Sequence, residues 1–176
     1  MGRGRLSGGA EMKTLVTLIL TIALLIPSSA SAAKADKAAG TLLIHVKTLL
    51  DCSSDRTRLV PPLIAAALKK GHRVVLLFDA DGVQSLKMGR WFGGHSTPLD
   101  RVKISRPDRQ RLAALLGTTS DGTPDIYGSL LHFLKGKGVA VYVNKRALLR
   151  RGIDHDHFDH VAEAVEEERI VELLAG

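Results

Sequence analysis

The chain has 176 residues, a formal net charge of +7, 45% hydrophobic residues and one cysteine. That length holds one domain with a single substantial core, and a lone cysteine excludes an internal disulfide framework. Basic residues are scattered with few aromatics between them, which excludes a nucleic-acid reader built on interleaved basic and aromatic side chains.

The first segment reads as a secretory signal peptide spanning residues 1–32. Lys13 supplies a positive start, Thr14 to Ile26 an uncharged apolar core, Pro27 a break, and Ala30-Ser31-Ala32 a small-x-small cleavage pattern. The apolar core is shorter than the roughly 20 residues a spanning helix needs, so no stable membrane anchor is expected after cleavage. Met12 offers an alternative start, with residues 1–11 as an upstream extension. Cleavage after Ala32 leaves 144 of the 176 residues, and the leader takes +2 of the +7 with it. A periplasmic or secreted location follows.

Residues 33–40 form an alanine- and lysine-rich flexible lead-in, and the domain proper occupies 41–176. Thr41 to Thr48 is the first strand, with His45 and Lys47 on one face. A polar connection holding Cys52 follows. Ser53, Ser54 or Asp55 can cap the next helix, whose first turn accommodates Pro61 and Pro62. Leu59, Leu63, Ala66, Ala67 and Lys70 repeat at helical spacing and predict a small-residue face packed on a sheet.

Gly71 closes that helix, as a residue free to take positive φ does. Val74 to Phe78 is then a continuous apolar run suited to a strand covered on both faces. Asp79, Ala80, Asp81 and Gly82 end it, at the carboxyl edge where open parallel sheets build their sites. Val83 to Met88 reads as a short helical turn, and 89–107 as a long irregular segment containing His95. Helices are expected over Asp108 to Leu116, closed by Gly117, and over Asp125 to Lys135, with Ile126, Leu130 and Phe133 inward. The strand Val139 to Val143 ends at Asn144, and Lys145 to Arg151 is helical up to Gly152. For the end of the chain two readings stand. One is a short strand over His160 to Ala164 and a helix over Glu166 to Leu174; the other is a continuous helix from Asp156 to Leu174. Alternating strands and helices predict an α/β three-layer sandwich: a mostly parallel sheet of about four to five strands with helices on both faces.

The order of these parts resembles the DsrE-like sulfur-relay family. The resemblance rests on the first strand, Asp55-Arg56 in the following loop, Lys69-Lys-Gly-His72, and the apolar strand running to Asp81-Gly82-Val83. Gly138-Val-Ala-Val-Tyr-Val-Asn144 and Arg151-Gly-Ile153 complete it. It implies a small α/β fold, a homo-oligomer, and a sulfur-relay or redox partner protein. Sulfur-carrying members place a cysteine near the exit of the second strand or at the end of the Gly-Val-x-Val strand. Here those places hold Ala80 to Leu86 and Asn144, so this would be an exported member lacking the usual cysteine positions.

Three candidate sites follow. Cys52 is the catalytic candidate, because a thiol near a helix start and beside Arg56 and Arg58 is favoured as a thiolate, although Asp51 and Asp55 oppose this. It is otherwise a buried inert thiol or one paired between chains. Asp79, Asp81, Gly82 and Asn144 are ligand-binding candidates at the carboxyl edge, where aspartates also cap turns. His155, Asp156, His157 and His160 lie in the densest run of metal-ligating residues, and on a helix Asp156 would share a face with Asp159 or His160, and His157 with His160, at i, i+3 and i, i+4. The run equally suits a solvated helix start. No Ser-His-Asp order, phosphate-cradling loop or paired cysteine motif is present. The primary expectation is a binding or accessory module in periplasmic sulfur or redox metabolism with no fixed cofactor. The rivals are a thiol-based sulfur carrier or sulfurtransferase bearing a persulfide on Cys52, and a protein binding a divalent metal through the 154–160 run.

Overall fold

The computed structural model describes residues 40–51, 55–89 and 96–175, with Asp55 and Arg56 described by backbone alone. Four strands, β1 (Thr41–Val46), β2 (Arg73–Phe78), β3 (Ala140–Asn144) and β4 (Glu163–Val165), form one sheet in the order β1-β2-β3-β4. Every pairing is parallel; Ile44 lies opposite Leu76, Leu76 opposite Val141, and Val143 opposite Ala164. Between them come α1 (Asp55–Lys69), α2 (Arg106–Leu116), α3 (Tyr127–Gly136) and α4 (Lys145–Arg150); α5 (Glu167–Ala175) follows β4.

Strict chain order in a parallel sheet decides where the helices go. Right-handed crossovers that always step in the same direction fall on the same face. The main core agrees. It joins Val74, Leu76 and Phe78 of β2 and Val141 and Val143 of β3 to Ile64 of α1, Leu112 of α2, Leu130 and Leu134 of α3, and Leu148 of α4. Strand residues of the other parity face away. Leu77 joins Val165 and Ile170 of α5, with Leu43 and Tyr142 packed alongside. The Arg169 guanidinium lies 5.9 Å from the centre of the Tyr142 ring. Helices therefore cover both faces, four from one side and α5 from the other.

Gly71 has φ +76° and ends α1 as expected. Its N–H donates to Leu68 O at 2.9 Å and that of His72 to Ala67 O at 3.0 Å, the paired bonds of a Schellman cap. The inward face of α1 differs from the expected one. Leu59 and Leu63 are 69% and 51% exposed, whereas Ile64 and Ala65 are fully buried and Val60 and Leu68 pack on the core. The apolar stripe is wide enough to be read at two angles. The helix must meet the sheet and α2 together, which selects the stripe through Ile64.

At the end of the chain, the strand-then-helix reading holds and the continuous helix does not. Phe158 is 1% exposed and bridges Lys87 in antiparallel fashion, so the chain extends there instead of coiling. No described helix is long and apolar enough to cross a membrane.

Candidate functional site at the carboxyl edge

The register that pairs Phe78 with Val143 sets the next residues, Asp79 and Asn144, side by side at the carboxyl edge. The Asp79 N–H donates to Val46 O at 2.9 Å, tying the same position to β1. Parity directs His45, Asp79 and Asn144 to the face that carries Leu43, Leu77 and Tyr142.

These three side chains form one network. His45 Nε2 is 3.1 Å from Asp79 Oδ2, and Asn144 Nδ2 donates to Asp79 Oδ1 at 2.8 Å. The Ala80 N–H also donates to Oδ1, at 2.7 Å. Asn144 works in both directions, since its Oδ1 accepts from the N–H groups of Arg146 and Ala147 at 2.9 and 3.2 Å and so caps α4. Partial burial alone would raise the Asp79 pKa, but the hydrogen bonds from Ala80, His45 and Asn144 outweigh it and hold the carboxyl below its ordinary value. The carboxylate accepts, so His45 donates from Nε2.

Asp79 and Asn144 line an open cleft of about 540 Å³ with Arg146, Arg150, Arg151 and Glu167. Arg146 Nη1 is 3.2 Å from Glu167 Oε1, while Arg150 acts on Glu167 from a longer distance and makes no ion pair among the described residues. Of the three guanidinium groups lining the cleft, those of Arg146 and Arg151 are paired with carboxylates, which leaves the Arg150 fork to match the paired oxygens of an oxyanion.

The other ligand-binding candidates take different positions. Asp81 forms an ion pair with Arg151 and touches the cleft only through it. Gly82 is buried and lies against β1, where an added Cβ would collide with Val46 O. It lets the 3₁₀ segment Ala80–Leu86 approach the strand and does not line the cleft. Cys52 and His95 lie outside the described residues.

The Asp/His run is a 3₁₀ turn, His155–His157, not a helix, so its side chains are not stacked at helical spacing. The rings of His155 and His160 lie 5.8 Å apart against Phe158. His157 Nδ1 instead faces Asp154 Oδ2 at 3.4 Å. Asp156 and His160 line a separate recess with His132 and Asp159, the latter two 3.0 Å apart. Among the described residues no three His, Cys, Asp or Glu side chains are grouped to hold a metal ion.

No family model and no curated protein matches this chain. The network therefore has to be interpreted from its own chemistry. Sequence reasoning found two of its three members and missed the third, along with the arginines. His45 carried a signal, a histidine near the end of an otherwise apolar strand. Its role needed the further fact that β1 pairs with β2.

Proposed function

We propose that this protein is an exported, DsrE-like accessory module of sulfur or redox metabolism that binds a small oxyanion in the carboxyl-edge cleft. The observation that carries this reading is the convergence of Arg146, Arg150 and Arg151 on a cleft whose base is the hydrogen-bonded Asp79–Asn144 pair. Fixed hydrogen-bonding groups and cationic forks at the carboxyl edge of a parallel sheet are what a small polar ligand requires. The DsrE-like order of elements supplies the metabolic context, and the leader pattern the compartment.

Calorimetric titration of the mature protein with thiosulfate, sulfite and phosphate tests the reading. A saturable heat with at least one of them, reduced about tenfold by Arg150→Ala, is expected. No heat at any concentration up to about 10 mM, a range that covers even weak ligands, would remove it. Intact-mass measurement of periplasmic material should give the chain trimmed after Ala32; a full-length cytoplasmic product would sink the export claim.

The rival reading, a sulfur carrier, rests on Cys52 falling between β1 and α1 in the chain. Incubation with a persulfide donor, followed by mass spectrometry, decides it. Addition of one sulfur to wild type and none to Cys52→Ser would favour the carrier over the oxyanion module.

A further inference from the structure

A second cavity, of about 150 Å³, opens between α1, α2 and the start of α3. Its walls are Pro61 and Pro62 of α1, Val102 and Ile104 of the approach to α2, and Leu112 of α2. Tyr127 lines it and is only 5% exposed. The Tyr127 N–H donates to Val102 O at 2.9 Å, but its hydroxyl makes no hydrogen bond to another described residue. No fully occluded side-chain polar atom among the described residues lacks a partner, so the phenol oxygen retains access to the cavity. Buried hydroxyls are almost always bonded, and phenylalanine would fill the same space without needing a partner. Burial also pushes the phenol pKa up, keeping the group protonated and a donor.

The cavity mouth is cationic. Arg58 and Lys103 both line it and are exposed, and among the described residues neither makes an ion pair. Asp108, the one carboxylate among the described lining residues, is already engaged by the Ser105 hydroxyl at 2.6 Å. The ligand therefore needs an apolar body, an anionic group for Arg58 and Lys103 and an acceptor for the Tyr127 hydroxyl. A volume of this size holds a benzene-sized body.

We propose that this cavity is a binding site for a small apolar carboxylate, its acid group held by Arg58 and Lys103 and a second, acceptor group receiving the Tyr127 O–H. The site is separate from the carboxyl-edge cleft and stands or falls independently of the oxyanion reading.

The probes are 4-hydroxybenzoate, benzoate and the uncharged 4-hydroxybenzamide, titrated into ¹⁵N-labelled mature protein and followed by amide shifts. 4-Hydroxybenzoate should saturate with Kd on the order of 0.1–1 mM, a range open to a ligand of about ten non-hydrogen atoms, and should move the amides of Val102 to Ser105, Leu112 and Tyr127. The benzamide should bind about tenfold more weakly, as should both acids to the Arg58→Gln/Lys103→Gln double variant. Tyr127→Phe should weaken 4-hydroxybenzoate about fivefold, the loss of one neutral hydrogen bond, and leave benzoate within about twofold. Ile104→Trp, which fills the cavity from its rim, should abolish binding and serves if Tyr127→Phe does not fold. Three results overturn the proposal: no saturable shift with either acid, shifts confined to residues away from the cavity, or equal binding by Ile104→Trp.

Discussion

Asn144 joins β3, α4 and Asp79, so its replacement tests the site and the fold together. Asn144→Ala removes the cap of a six-residue helix, worth about 1 kcal/mol. It also removes a hydrogen bond to an ionised carboxylate. Such bonds contribute about 1.5–3 kcal/mol, discounted here to about 1 because the Asp79 side chain is 23% exposed. The sum of about 2 kcal/mol corresponds to a fall in Tm of roughly 6–10 °C for a domain of this size. Asn144→Asp separates the two contributions. It keeps a capping oxygen but loses the donor and sets a second carboxylate in the place of an amide 2.8 Å from Asp79. The wild-type Asp79 pKa is lowered, so its stabilisation is present above the unfolded value near 4 and is lost as pH falls through the folded one. In Asn144→Asp the paired carboxylates repel, and protonating one relieves the strain. Its stability should therefore rise between pH 7 and about pH 5, where the wild type should be flat with respect to Asp79. Urea midpoints measured across that range check this. A Tm within 1 °C of wild type for Asn144→Ala, or matching pH profiles for wild type and Asn144→Asp, would refute the network as described.

Gly82→Ala should cost about 2–3 kcal/mol in urea unfolding, because the added Cβ meets backbone atoms of Val46 that cannot swing away. Gly71→Val should cost about 1 kcal/mol or more by the same assay, since a branched residue is strained at φ +76°. Arg151→Ala should change stability by less than about 1 kcal/mol, its pair with Asp81 being half exposed; a larger loss by calorimetry would show that this pair fixes the 3₁₀ segment. Tyr127→Phe should leave the thermal midpoint within about 2 °C of wild type, because the hydroxyl it deletes bonds no other described residue.

Most of the fold is visible in local pattern. The run Arg73 to Phe78, the glycine after Lys70 and the serial alternation of strands and helices are near-neighbour signals, and each corresponds to an observed element. The face of α1 was harder to read because Leu59, Leu63, Ile64 and Ala67 describe two overlapping stripes, and only the position of α2 chooses between them. The site was half legible for a related reason. Asp79 and Asn144 announce themselves by ending apolar strands, but His45 joins them through strand order. The arginines of α4 resemble any solvated helix face until the cleft brings them together. In the 154–160 run composition suggested a ligand set, while the need to bury Phe158 governs the backbone and scatters the side chains.

The strand pairings also differ in how much chain must be gathered to make them. Thr41 reaches Arg73 and Tyr142 reaches Glu163 across modest separations, but Asn144 and Asp79 are 65 residues apart. Closing that loop costs about 1 kcal/mol more entropy than closing the β3–β4 loop, so the β2–β3 junction is the expensive step in assembling the sheet. The hydrogen bond at the heart of the cleft is formed across that junction. Occupancy of the cleft would then report whether the two halves of the sheet have come together. A ligand bound there would slow their separation, making unfolding rate a more sensitive gauge of binding than any change in shape.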